Sequence, residues 1–193
     1  MRIKVTGSFY YLFLAWNLFL ALIPYGITLL LRSKETWQKK SWLLLLIIGI
    51  WILFLPNTPY LITDLQHLKH ASYKMVWYDA LLLFSFAVYG LFIMTFTIQD
   101  MRSILSKSIS QKWMPIALIS IFILCGFGIY LGRFLRWNSW DILQNPMALF
   151  EDIFLRIRHP FTYAQTWIVT FGYAGITGLF YVWYSYVKQR KIM

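Results

Sequence analysis

Five stretches of this chain carry no charge or only one: Val5–Leu31, Ser41–Thr63, Met75–Gln99 with Asp79 inside it, Trp113–Gly132 and Pro160–Val187. At about 1.5 Å rise per residue, roughly 20 residues cross the ~30 Å hydrocarbon core of a bilayer, and every stretch reaches that length. Backbone in hydrocarbon must satisfy its own polar groups. The expected fold is therefore an all-α integral membrane bundle of five transmembrane helices. Connections of about 9 to 27 residues leave no room for a water-soluble domain, so residues 1–193 read as a single transmembrane domain. Met1-Arg2-Ile3-Lys4 has the charge of a signal peptide, but the apolar run after it is too long for one, and it reads as the first helix.

Composition agrees: the chain is 60% hydrophobic and only 13% charged, too apolar for an ordinary soluble domain. A net charge of +11 would point to nucleic acid in a soluble protein. Here the 18 Lys and Arg fall mostly in loops and tails, where they set topology and meet anionic lipid. The expected partners are membrane lipids and not nucleic acid; the sequence names no protein partner. The one cysteine, Cys125, rules out an intramolecular disulfide.

Within helix two the stretch Phe54-Leu55-Pro56-Asn57-Thr58-Pro59-Tyr60 departs from this plain pattern. Pro56 and Pro59 remove backbone donors, so helix two is expected to break there and the carbonyls of Ile52 and Leu55 need new partners. Thr58 then reads as the N-cap, and Pro59 as the first residue, of a new short helix. Along it Tyr60, Asp64 and His67 would form one stripe, placing a carboxylate and an imidazole together.

Other polar residues stand out. Asn17 lies near the middle of helix one, where an interhelical hydrogen bond is the expected role. Helix three enters through Lys74-Met75-Val76-Trp77-Tyr78-Asp79, so Asp79 lies near its start. Helix four contains Gly128-x-x-x-Gly132, a spacing that permits close helix contact, and runs into Arg133, Arg136, Trp137, Asn138, Ser139, Trp140 and Asp141. After it, an amphipathic interfacial helix is expected at about 146–158, with Leu149, Phe150, Ile153, Phe154 and Ile157 on one side and Glu151, Asp152 and Arg156 opposite. Asp152 and Arg156 are spaced for an ion pair.

Ten Lys and Arg lie on the side of the first loop, third loop and C-terminus, and eight on the other side. With the acids of the second and fourth loops, this places the N-terminus outside and the C-terminus in the cytoplasm. Helices two and four run in the same direction, so the two motifs reach one surface whatever the orientation. Asp79 joins them there.

At these motifs, Phe54–Tyr60, Thr63-Asp64 with His67-Leu68, and Gly132-Arg133 through Asn138-Ser139-Trp140-Asp141, the sequence resembles a bacterial family of small multi-pass membrane proteins, Domain of Unknown Function 1361. The resemblance implies a bacterial inner-membrane protein and supplies no reaction, substrate or cofactor.

Residue chemistry points to anion recognition first. Arg133 and Arg136 beside Trp137 and Trp140 suit the level of lipid phosphates. Asn57, Tyr60 and Asn138 offer neutral hydrogen bonds, Asp79 and Asp141 add carboxylates, and Asp64 with His67 are the candidates for moving a proton. The expected site binds or acts on an anionic amphiphile such as a lipid head group. A scaffold whose charged motifs pair with one another is the alternative, and a small transporter the second. No metal or other cofactor is expected: Asp64-x-x-His67-x-x-His70 lacks a fourth ligand.

Overall fold

The computed structural model describes residues 10–70 and 75–190. Its principal helices are α1 (Phe13–Ser33), α2 (Ser41–Phe54), α3 (Asn57–Thr63), α4 (Val76–Leu105), α5 (Met114–Phe134), α6 (Pro146–Arg158) and α7 (Ala164–Arg190). A 3₁₀ segment, Asp64–His70, follows α3. No strand occurs among the described residues. The N-terminal part of the first apolar stretch, residues 5–9, lies outside them.

Four helical runs are long and apolar enough to cross a membrane: Phe13–Ser33, Ser41–Lys69 (α2, α3 and the 3₁₀ segment together), Val76–Leu105 and Met114–Phe134. The fifth expected span corresponds to α7. At 27 residues α7 is long enough, but its threonines, tyrosines and glycines leave it less apolar than the other four. Around the bundle Leu45, Leu81, Ile168 and Leu179 are each more than 60% exposed. In water such a surface would drive association, whereas to lipid tails it is an ordinary face.

The core centres on Trp51, Met94, Ile98, Met101, Phe122 and Tyr181. It contains a polar link. Thr97 of α4 donates its hydroxyl to the carbonyl of Pro24 at 3.0 Å and accepts the Trp51 indole N–H at 2.8 Å. One hydroxyl thus joins α1, α2 and α4 beside the proline of α1, where interior hydrogen bonding is interrupted.

The second span passes through Pro56 without unwinding. Leu55 (φ −55, ψ −39) and Pro56 (φ −59, ψ −23) keep right-handed helical angles. What changes is the hydrogen bonding. The Leu55 carbonyl accepts both the N–H and the hydroxyl of Thr58, at 3.0 and 2.8 Å. The Phe54 carbonyl accepts the Asn57 side-chain amide at 2.9 Å, and the Leu53 carbonyl accepts the Ser139 hydroxyl at 3.1 Å. Thr58 is therefore no N-cap. The chain never leaves helical angles, so what lacks partners is a row of carbonyls, and Thr58 turns back to one of them.

Close packing holds this segment. A Cβ on Gly128 of α5 would collide with the Pro56 ring, and one on Gly90 of α4 would collide with the Thr58 carbonyl. On Gly132 it would meet the Tyr60 ring at 3.2 Å. The glycine spacing in helix four thus works as packing, with α3 as its partner. A fourth close approach, Gly126 against the Thr170 backbone, brings α5 to α7.

α6 forms over Pro146–Arg158 with its polar pair turned toward the bundle. Leu149 and Arg156 are buried, while Phe150, Phe154 and Ile157 are exposed. The Arg156 guanidinium bonds the Asp152 carboxylate at 2.8 Å and lies over the Tyr163 ring. Asp152 also accepts the Trp137 indole N–H at 2.8 Å. The polar pair is held by protein, and three of the large apolar side chains are left for lipid.

Candidate functional site

A partly open cavity of about 190 Å³ lies where α1, the α2–α3 junction, α5, the loop after it and α6 meet. Trp16, Trp137 and Trp140 supply aromatic wall, and Asn17, Asn57, Tyr60, Asn138 and Ser139 supply polar groups. None of its lining residues is charged. Pro56 and Gly128 form part of the wall where α3 and α5 touch.

Most of these polar groups already have protein partners. The Asn57 amide reaches Ser139 Oγ at 3.2 Å as well as the Phe54 carbonyl. Asn138 gives its backbone N–H and its side-chain amide to the Asp141 carboxylate, at 2.6 and 3.2 Å. Asp141 thereby closes the turn that opens the short helix Asp141–Gln144 and stands apart from the other acids. The Tyr60 hydroxyl differs: it has no hydrogen-bond partner among the described residues.

Beside the cavity lies a charged cluster. Asp64 is 1% exposed; one carboxylate oxygen accepts the Asn17 amide at 2.9 Å and the other stands 3.7 Å from the Arg133 guanidinium. Arg133 also donates to Gln66 at 3.3 Å and sits over the Tyr60 ring, 5.8 Å from its centroid. Asn17 makes the interhelical bond expected of it. It also lines the cavity, so Asn17 and Tyr60 connect the cavity to the charged cluster.

The remaining candidates are placed differently. Arg136 is exposed, makes no ion pair among the described residues, and has φ +62, the left-handed conformation that ends α5. The Trp137 N–H returns to the Leu131 carbonyl at 3.1 Å across this turn. Arg133 and Arg136 therefore do not act as a pair, because the reversal at 136 separates their directions. Asp79 is fully buried at the start of α4, which packs against the 3₁₀ segment. His67 packs against Phe13 with ring centroids 4.6 Å apart and the planes tilted by 46°. The third member of the Asp-His-His spacing falls on His70, whose side chain lies outside the described residues.

Several contributions to the site are not apparent from the sequence alone. Ser139 sits in a recognisable motif, but only the fold reveals its bond to a carbonyl 86 positions away. Trp16, Leu20 and Leu149 look like ordinary apolar positions and become cavity wall.

No curated protein and no solved structure matches the chain. A family model described as a protein of unknown function (DUF1361) matches residues 16–180, from the cavity residue Trp16 through most of α7. That span contains every site residue described above, and the chain belongs to this family.

Proposed function

We propose that this protein is a bacterial inner-membrane protein of one transmembrane domain, in which α7 is the fifth span, the second span exchanges its hydrogen-bond partners at Leu55–Pro56, and the cavity binds the head group of an amphiphile at the outer surface. The observation that carries this reading is the Tyr60 hydroxyl, which has no hydrogen-bond partner among the described residues and belongs to a wall of three tryptophans and neutral amides. Aromatic faces with hydroxyl and amide donors suit a hydroxylated group such as a glycerol or a sugar ring. The volume is below the ~300–1,000 Å³ of drug-sized sites, which favours a head group over a whole lipid. The anionic part of the same amphiphile falls to Arg136, exposed immediately before the cavity residue Trp137.

The test is native mass spectrometry of the purified chain offered a polar lipid extract from a bacterial inner membrane. Tyr60→Phe should lose a co-purifying lipid that the unaltered protein retains, with an unchanged unfolding midpoint. Equal lipid retention by both would reject the reading.

A second reading, a scaffold, draws on a specific observation: Asn57, Thr58 and Ser139 all bond helix carbonyls around the proline break. For a scaffold, Ser139→Ala would lower stability while Tyr60→Phe changed nothing at all.

A further inference from the structure

At the opposite end of the bundle the last turns of α4 and α7 diverge around a second cleft, of about 480 Å³. Each helix turns polar where its apolar stretch ends. Gln99, Arg102 and Ser106 line the α4 wall, and Tyr181, Ser185 and Lys188 line the α7 wall. These positions recur at three- and four-residue intervals, so each set lies along one helix face. Arg32 and Asp100 complete the charged lining and pair with each other at 2.6 Å.

That pairing leaves two cations with neutral partners. Arg102 approaches the Tyr181 hydroxyl at 3.5 Å, and Lys188 donates to the Gln99 amide oxygen at 3.1 Å. Neither has a carboxylate partner among the described residues. Tyr181 is only 4% exposed and packs edge-on against Phe122 at 5.6 Å, which fixes the hydroxyl that Arg102 approaches. Two like charges held across one cleft repel unless an anion lies between them, and the Ser185 hydroxyl, which accepts from the Gln99 amide, can donate to the same anion.

We infer that this cleft is a binding site for a phosphate group, most directly the phosphodiester of an acidic phospholipid at the membrane edge. A guanidinium fork and an ammonium supply charge-assisted hydrogen bonds to phosphate oxygens. The site is independent of the cavity described above and does not rest on it.

The experiment is native mass spectrometry of the full chain in detergent with phosphatidylglycerol or phosphatidylcholine, using inorganic phosphate as competitor. The unaltered protein should prefer phosphatidylglycerol. The double variant Arg102→Gln/Lys188→Gln should bind it about tenfold more weakly, since each cation near an anionic lipid contributes severalfold in affinity. Lys112→Gln, outside the cleft, should bind normally. Displacement of the lipid by millimolar phosphate would assign the free anion as sufficient, and resistance to phosphate would assign the lipid as the source. If the double variant does not fold, Lys188→Gln alone carries the test, because Lys188 is exposed and its hydrogen bond among the described residues is to Gln99. Undiminished preference in a folded variant, or an equal loss in Lys112→Gln, would overturn the assignment.

Discussion

Gly128→Ala and Gly172→Ala make the same chemical change with opposite expected outcomes. At Gly128 the new methyl would lie 2.9 Å from Pro56 Cβ and closer still to its Cγ. A proline ring cannot rotate away, so the α2–α3 junction and α5 must separate by several tenths of an ångström. Overpacking of this kind costs about 1–3 kcal/mol, which exceeds the ~0.5–1 kcal/mol that alanine contributes over glycine within a helix. At Gly172 no atom lies within 4 Å of the new methyl, so only the helix term remains. Gly128→Ala should therefore unfold earlier than the unaltered protein in an SDS titration followed by tryptophan fluorescence, and Gly172→Ala at the same point or later. Equal midpoints for the two variants would refute the claim that the Pro56 ring packs against the α5 backbone at Gly128.

Further outcomes follow from other contacts. Ser139→Ala leaves the Leu53 carbonyl and the Asn57 amide each short of a partner and should cost about 1–3 kcal/mol in the same titration. Arg133→Gln strands the buried Asp64 carboxylate; the loss should be at most ~3 kcal/mol, since Arg133 is partly exposed and the contact is 3.7 Å, and Arg133→Gln/Asp64→Asn should regain most of it. Thr97→Val removes the acceptor of the Trp51 indole and should lower stability by about 1–2 kcal/mol, with a shift in the tryptophan emission. Arg136→Gly relieves a left-handed arginine and should stabilise the protein by up to about 1 kcal/mol.

The expected spans came from charge-free length, and the four most apolar helices follow that rule. α7 was read by the same rule, but its apolar area comes largely from rings that also carry polar atoms, which makes it a weaker case. The meeting of the two motifs was legible because helix direction alone puts their ends on one side. The division of labour within the motifs was not. Which carbonyl a serine will reach depends on the docking of two helices, and no local pattern encodes that. Arg136 shows another limit: an arginine gives no hint that its backbone will turn left-handed, so two arginines three residues apart look like neighbours on one face. In α6 the two sides of the amphipathic pattern were legible, but not which of them meets the bundle. Beside lipid, Asp152 and Arg156 find their partners inside and the phenylalanines face out.

The bond between Ser139 and the Leu53 carbonyl also bears on biogenesis. When the second span leaves the ribosome, the residue that completes its hydrogen bonding is 86 positions from synthesis. At about 5–20 residues per second, that delay is roughly 4–17 s. Phe54 and Leu55 can be served at once by Asn57 and Thr58, which arrive with them, but Leu53 must wait for the end of the fourth span. Throughout that interval one carbonyl depends on water or on the insertion machinery. The final seating of the second span is thus a late event in assembly, and truncation before residue 139 should leave a span that inserts but does not settle.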